Sequence, residues 1–138
     1  MTTGNGYSGF LLSPPVGPWN YPVTQPFFPN VSSSPLRWRE EKVGNIIRWS
    51  GAVNYTGSSN ANPGGQLISN DPNNPKPPNG VYLMCSVYES SGSYTPATIF
   101  FAPGDGSLQI ITLSLGAAVG AITPGCEIYF DGLAYSLS

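Results

Sequence analysis

The stretch from Leu36 to Val53 constrains this chain more than any other, because it reads as a β-hairpin with two chemically distinct faces. It holds Arg37, Arg39, Glu40, Glu41, Lys42 and Arg48, six of the chain's twelve charged residues. Gly44-Asn45 is a two-residue turn signal, since glycine reaches positive φ without a Cβ clash. Setting Val43 opposite Ile46 fixes every other pairing. Leu36 then faces Val53, Trp38 faces Gly51, Glu40 faces Trp49 and Lys42 faces Ile47 on one side. On the other, Arg37 faces Ala52, Arg39 faces Ser50, and Glu41 faces Arg48 as an opposite-charge pair across the strands. The first face is apolar away from the turn, and the second is polar. This pattern predicts a β protein.

Composition narrows the class. A chain of 138 residues forms one domain and buries roughly two thirds of its unfolded-chain surface. Charged residues are only 9% of the total, against about 25% in an average domain. The 17 glycines and 15 prolines raise disorder as a rival. Disorder, however, goes with few aromatics and high net charge, whereas aromatics here are 12% and the net charge is −2. A compact, loop-rich all-β domain fits better. With so little charge to keep molecules apart, the surface suits a protein that works inside an assembly.

The acidic balance argues against nucleic-acid binding, which needs a basic patch. The basic residues at 37, 39, 42 and 48 are diluted by Glu40 and Glu41. No apolar run approaches the ~20 residues that span a bilayer, so membrane insertion is not expected. The opening Met-Thr-Thr-Gly-Asn-Gly lacks the charged and apolar regions of a signal peptide. Synthesis in a cytoplasm is the expectation.

Residues 1–34 differ from the rest. Pro14, Pro15, Pro18, Pro22, Pro26 and Pro29 alternate with Phe10, Trp19, Tyr21, Phe27 and Phe28, with no charged side chain. Proline at this density excludes a central strand or a helix, and the aromatics are not those of a flexible linker. An extended arm lying on a surface satisfies both, the surface being its own domain or a neighbouring subunit. Trp19, Tyr21, Phe27 and Phe28 are the expected assembly residues. Strands are expected over 35–42, 46–55, 66–69, 80–89, 94–102, 107–115 and 126–137 within a domain spanning 35–138. A long Gly/Asn/Pro loop fills 56–80, and Asp105-Gly106 and Asp131-Gly132 are turn or bulge signals. The fold expected is an antiparallel β-sandwich of jelly-roll type carrying an extended Pro-rich N-terminal arm.

Catalytic chemistry finds little support. Histidine is absent, which removes Ser-His-Asp and Cys-His arrangements and His-ligated metal sites. Neither a P-loop nor a Gly-x-Gly-x-x-Gly is present, so no cofactor, metal or enzymatic activity is expected. Asp105 and Asp131 are the one acid pair that a glycosidase reading would use, though Asp before Gly is ordinarily a turn residue. Cys85 shares its alternation with Val81, Leu83 and Val87, and Cys126 with Ile128 and Phe130, so both face inward as buried thiols; a disulfide is the alternative. Asn30-Val31-Ser32 and Asn54-Tyr55-Thr56 match the glycosylation pattern by accident.

The tyrosines remain. Tyr82 and Tyr88 alternate outward from the Val81–Val87 set, Tyr94 follows a Ser-Ser-Gly-Ser turn, and Tyr129 with Asp131 alternates away from Ile128 and Phe130. Tyr88, Tyr94, Asp105, Tyr129 and Asp131 are the expected ligand-binding set. Tyrosine is favoured at interfaces, so subunit contact leads and saccharide contact follows.

The run Leu-Arg-Trp-Arg-Glu-Glu-Lys-Val-Gly-Asn-Ile-Ile-Arg-Trp-Ser-Gly-Ala-Val resembles a strand-turn-strand of minor tail and receptor-binding proteins of tailed bacteriophages. Pro-Gly-Asp-Gly-Ser-Leu-Gln-Ile, Ile-Tyr-Phe-Asp-Gly-Leu-Ala-Tyr-Ser and the segment from Trp19 to Pro29 are similar to further parts of such domains. The resemblance covers roughly residues 19–138. It implies a β-sandwich head that assembles as a homotrimer on the virion with other virion proteins, and that contacts host cell-envelope carbohydrate. The 56–80 insertion and the lack of an N-terminal shaft depart from that pattern. They raise a rival expectation, a capsid or tail decoration protein that stabilises the particle through its arm.

Overall fold

A computed structural model of the chain describes residues 16–30, 33–60, 67–69, 71, 73–101, 103, 110–114 and 123–137, with only the backbone path given over 110–114. The described strands are β1 Arg37–Glu41, β2 Ile46–Ser50, β3 Ala52–Asn54, β4 Val81–Tyr88, β5 Tyr94–Phe101, β6 Ile110–Ser114, β7 Glu127–Tyr129 and β8 Ala134–Ser136. They form two antiparallel sheets, ordered β1-β2-β8 and β3-β7-β4-β5-β6. No helix occurs among the described residues. The protein is an all-β sandwich. A jelly roll is built from two Greek keys of four strands; here the described strands divide three and five.

Alternation along each strand sends one set of side chains between the sheets. Ile47, Trp49 and Tyr135 enter from the three-stranded sheet, and Cys85, Val87, Ala97, Ile99, Phe101 and Ile128 from the five-stranded one. Trp49 is the hub. Its ring centroid lies 5.6 Å from both Phe101 and Phe130, and Phe101 lies 4.9 Å from Tyr135. Such tilted aromatic arrangements add to plain area burial.

Two chain segments cross between the sheets together. The expected strand over 46–55 breaks at Gly51, separating β2 from β3, and the expected strand over 126–137 breaks at Asp131-Gly132, separating β7 from β8. On one side of the corner Ala52 pairs with Tyr129; on the other Arg48 pairs with Ala134. That change of register inserts one extra residue on the 127–136 side, a bulge that bends the ladder from one sheet into the other. Phe130 N donates to Gly51 O at 2.8 Å and Trp49 N to Leu133 O at 2.8 Å across the bend. Gly51 has φ +90°, and a Cβ there would sit 2.1 Å from Pro35 O. Only glycine lets the corner close this tightly.

The hairpin forms with its register displaced by two residues from the expected one. Trp38 pairs with Trp49, Arg39 with Arg48, Glu40 with Ile47 and Glu41 with Ile46. The turn is therefore four residues, 42–45, rather than Gly44-Asn45 alone. Gly44 and Asn45 both take left-handed φ, 85° and 56°. A two-residue displacement leaves every side chain on its expected face, so the apolar and polar faces stand while the individual partners change. Trp38 is thereby paired with Trp49 instead of Gly51. Glu41 and Arg48 still join, diagonally, with Arg48 Nε 2.7 Å from Glu41 Oε2. That bond holds the Glu41 carboxyl below its ordinary pKa and raises Arg48.

The described part of the first 34 residues lies on its own domain. Gly17 N donates to Glu40 O at 2.8 Å, and Asn20 and Trp38 exchange backbone bonds at 2.8 and 2.9 Å. Residues 16–20 thus cover the outer edge of β1, which would otherwise present unpaired backbone groups. Further along, Gln25 N bonds to Leu67 O and Ser69 N to Val23 O. Of the expected strand at 66–69, the described residues 67–69 hold a single bridge, Thr24 with Ile68. Residues 1–15 lie outside the described residues.

Candidate functional site

The outer face of the five-stranded sheet carries the aromatics that alternation sends away from the core. Tyr82 pairs with Phe100, Met84 with Thr98, Ser86 with Pro96 and Tyr88 with Tyr94 across β4 and β5. On the other flank of β4, Ser86 pairs with Tyr129 and Tyr88 with Glu127. The rings pack on each other: Tyr82 and Phe100 at 4.5 Å, Tyr88 and Tyr94 at 4.9 Å, Tyr94 and Tyr129 at 6.3 Å. Tyr82, Met84 and Tyr94 are nevertheless 61%, 67% and 66% exposed. Scattered exposed apolar residues are ordinary, whereas a contiguous set on one face marks an interaction surface.

Within this face lies a groove of about 480 Å³, lined by Met84, Cys85, Ser86, Tyr94, Pro96, Tyr129 and Asp131. Four of the five expected ligand-binding residues come together here. Tyr94, Tyr129 and Asp131 line the groove, and Tyr88 stacks on Tyr94 beside it. Asp105 lies outside the described residues, so the Asp105–Asp131 pairing does too. Met84, Ser86 and Pro96 were not expected. Alternation from Tyr82 and Tyr88 would have found the first two. Pro96 stands in β5 opposite Ser86, and the described pairing of β5 with β6 begins at Ala97.

The acids around the groove serve the fold. Asp131 Oδ1 accepts from Gly51 N at 2.9 Å and from Ser50 Oγ at 3.2 Å, which pins the corner between the sheets. Tyr129 donates its hydroxyl to Glu127 Oε1 at 2.9 Å. Desolvation, with the acceptor carboxylate beside it, pushes the Tyr129 pKa up to about 12, so the phenol stays protonated and keeps donating. Glu89 accepts from Thr95 Oγ1 beneath the β4–β5 turn.

Among the four expected assembly aromatics, the structure separates two roles. Phe28 is buried in the protein's own core, 5.3 Å from Tyr55, so it is a core residue and not a surface for a neighbour. Its flanking prolines disguise this, because arm composition hides a single inward ring. Trp19 is half-buried under two guanidinium groups, with Arg37 Cζ at 4.1 Å and Arg39 Cζ at 4.4 Å from its ring. Tyr21 and Phe27 are exposed, 56% and 62%.

Cys85 and Cys126 are buried free thiols. Extending the β4–β7 register puts Cys85 and Cys126 four ladder positions apart, roughly 13 Å, which no disulfide spans. Burial pushes their pKa values up to about 12 and about 11, the opposite of a reactive thiolate. The Asn30 side chain bonds both backbone groups of Leu36, donating through Nδ2 at 2.8 Å, which occupies the atom that glycosylation would modify. Among the described residues no cluster of three or more metal-ligating side chains occurs, and no helix is long and apolar enough to cross a membrane.

Comparison with protein-family models, with curated proteins and with solved structures finds no match to this chain.

Proposed function

We propose that this protein is a non-enzymatic structural subunit of a tailed-bacteriophage virion, in the tail or at its tip, and that it works by presenting the outer face of its five-stranded sheet. The observation that carries the reading is the row of mutually packed rings, Tyr82 with Phe100 and Tyr88 with Tyr94 and Tyr129, in which Tyr82 and Tyr94 are exposed and the other three half-buried, beside an open groove. Flat rings beside a few fixed polar groups suit two occupants, a companion protein surface and the face of a host-envelope sugar. The engagement of Asp131, Glu127 and Glu89 in hydrogen bonds that hold the fold supports a binding role over acid–base chemistry. The resemblance of the hairpin run to phage tail proteins supplies the setting.

The rival reading, a decoration protein anchored by its N-terminal arm, draws less support, because Trp19 and Phe28 are used by the domain itself. Antibody raised against the chain and applied to purified particles tests both. Label at the tail or its tip is expected, label over the capsid favours decoration, and unlabelled particles overturn the virion assignment. A glycan array probed with the purified protein tests saccharide contact. Retention that is lost in Tyr94→Ala is expected, and no retention removes that duty.

A further inference from the structure

We propose that the groove receives the hairpin tip of a second copy of this chain, head to tail. This rests on the subunit reading above and names the partner of the same surface. The tip is built as a knob. Val43 is 79% exposed, above the other large exposed hydrophobics of the described residues. Gly44 and Asn45, both left-handed, fix the loop that presents it, so little ordering cost remains to be met on docking. Lys42 is exposed beside Val43. A groove of about 480 Å³ accommodates one branched side chain and the stem of a lysine.

Charge gives the pairing its direction. Lys42 stands at the tip itself, backed by the neutralised Glu41–Arg48 pair, whereas Arg37 belongs to the opposite end of the hairpin, where it lines a hollow with Asp131. The groove side carries more acidic than basic groups, with Arg37 beside Asp131. Glu89, Glu127 and Asp131 lie on or beside β4, β5 and β7, and those strands and β3 contain no lysine or arginine. Complementary potentials of this kind set orientation and suppress wrong docking. In the docked arrangement Val43 lies between Met84, Tyr94 and Pro96. The Lys42 ammonium approaches Asp131 and the faces of Tyr94 and Tyr129, where cation–π attraction adds to the charge pairing.

A single molecule cannot make this contact with itself. The groove residue Asp131 bonds to Gly51, at the far end of β2 from the turn, and the six residue steps from Asn45 to Gly51 span roughly 20 Å of strand. Knob and groove therefore sit at opposite ends of the sandwich. That is a heterologous contact, which closes into a ring when the rotation permits and otherwise extends as a filament. A three-membered ring would realise the trimer that the tail-protein resemblance implies.

Sedimentation of the full chain over a range of concentrations tests the proposal. Wild type is expected to associate, more strongly at low salt. Lys42→Glu and Val43→Ser change exposed turn side chains, and each is expected to weaken association at least about tenfold, as loss of one anchoring contact does. Tyr94→Ser is expected to do the same from the groove side, with circular dichroism confirming that all variants keep the wild-type fold. A wild type that stays monomeric at every concentration overturns the proposal, as does an oligomer indifferent to Lys42→Glu and Val43→Ser. A monomer that still labels phage tails would defeat this inference alone. An oligomer dependent on Val43 but absent from particles would defeat the virion assignment alone.

Discussion

Trp49 donates its indole N–H to the Tyr135 hydroxyl at 3.3 Å, and that hydroxyl donates in turn to Pro75 O at 3.2 Å. One phenol thus joins the centre of the core to a loop lying between β3 and β4. Both bonds are buried, so neither partner has water as a substitute.

Tyr135→Phe keeps the ring and removes the hydroxyl. It leaves the Trp49 N–H and the Pro75 carbonyl unpaired, at a cost of about 1–3 kcal/mol. The midpoint of chemical denaturation should fall accordingly with an unchanged m-value. A variant as stable as wild type would show that the bridge carries no energy.

Gly51→Ala tests the corner where the chain changes sheets. The new Cβ meets Pro35 O at 2.1 Å, and φ is +90°, so backbone must move on two segments at once. A loss on the order of 3 kcal/mol is expected, read as a lowered thermal midpoint, and Ala substitution at Gly132, where nothing lies within 4 Å, should cost less.

Cys85 and Cys126 give the stability a pH dependence with a defined sign. Their folded pKa values, about 12 and about 11, lie above the free value of 9.0. In the unfolded chain the thiols ionise first. Below pH 9 the unfolded state gains nothing by ionising, and between pH 9 and about 11–12 it gains with each step, so stability falls as pH rises. Cys85→Ala and Cys126→Ala should each flatten that decline when denaturation is measured across the alkaline range. An equal slope in all three proteins would contradict the assignment.

Trp19→Ala should release the strap over β1. Two cation–π contacts, with Arg37 and Arg39, are worth about 0.5–1 kcal/mol each at partly exposed sites. Faster limited proteolysis between residues 16 and 24 is the expected readout, with the core of the sandwich left intact.

The outcome at each site shows what single-residue patterns carry. Alternation placed Tyr82, Tyr88 and Tyr129 outward and the two cysteines inward, because face assignment needs only parity along a strand. Register was not legible to the same degree: Gly44-Asn45 marks a turn, but a two- and a four-residue loop keep the same faces, so alternation does not choose between them. The corner at Gly51 was hidden because a bend between sheets needs a second segment, at Asp131-Gly132, to bend beside it. Phe28 was masked by its surroundings, since proline-rich composition describes the path of a segment and not where one ring of it points.

In the proposed role the tyrosine-bearing sheet face is covered when this protein does its work. Hydroxyl-radical footprinting of Tyr82, Met84 and Tyr94 is the deciding measurement, comparing protein diluted until it sediments as a monomer with intact particles. Strong oxidation of all three is expected in the monomer and clear protection in the particle; equal oxidation in both states would overturn the proposed role of this face.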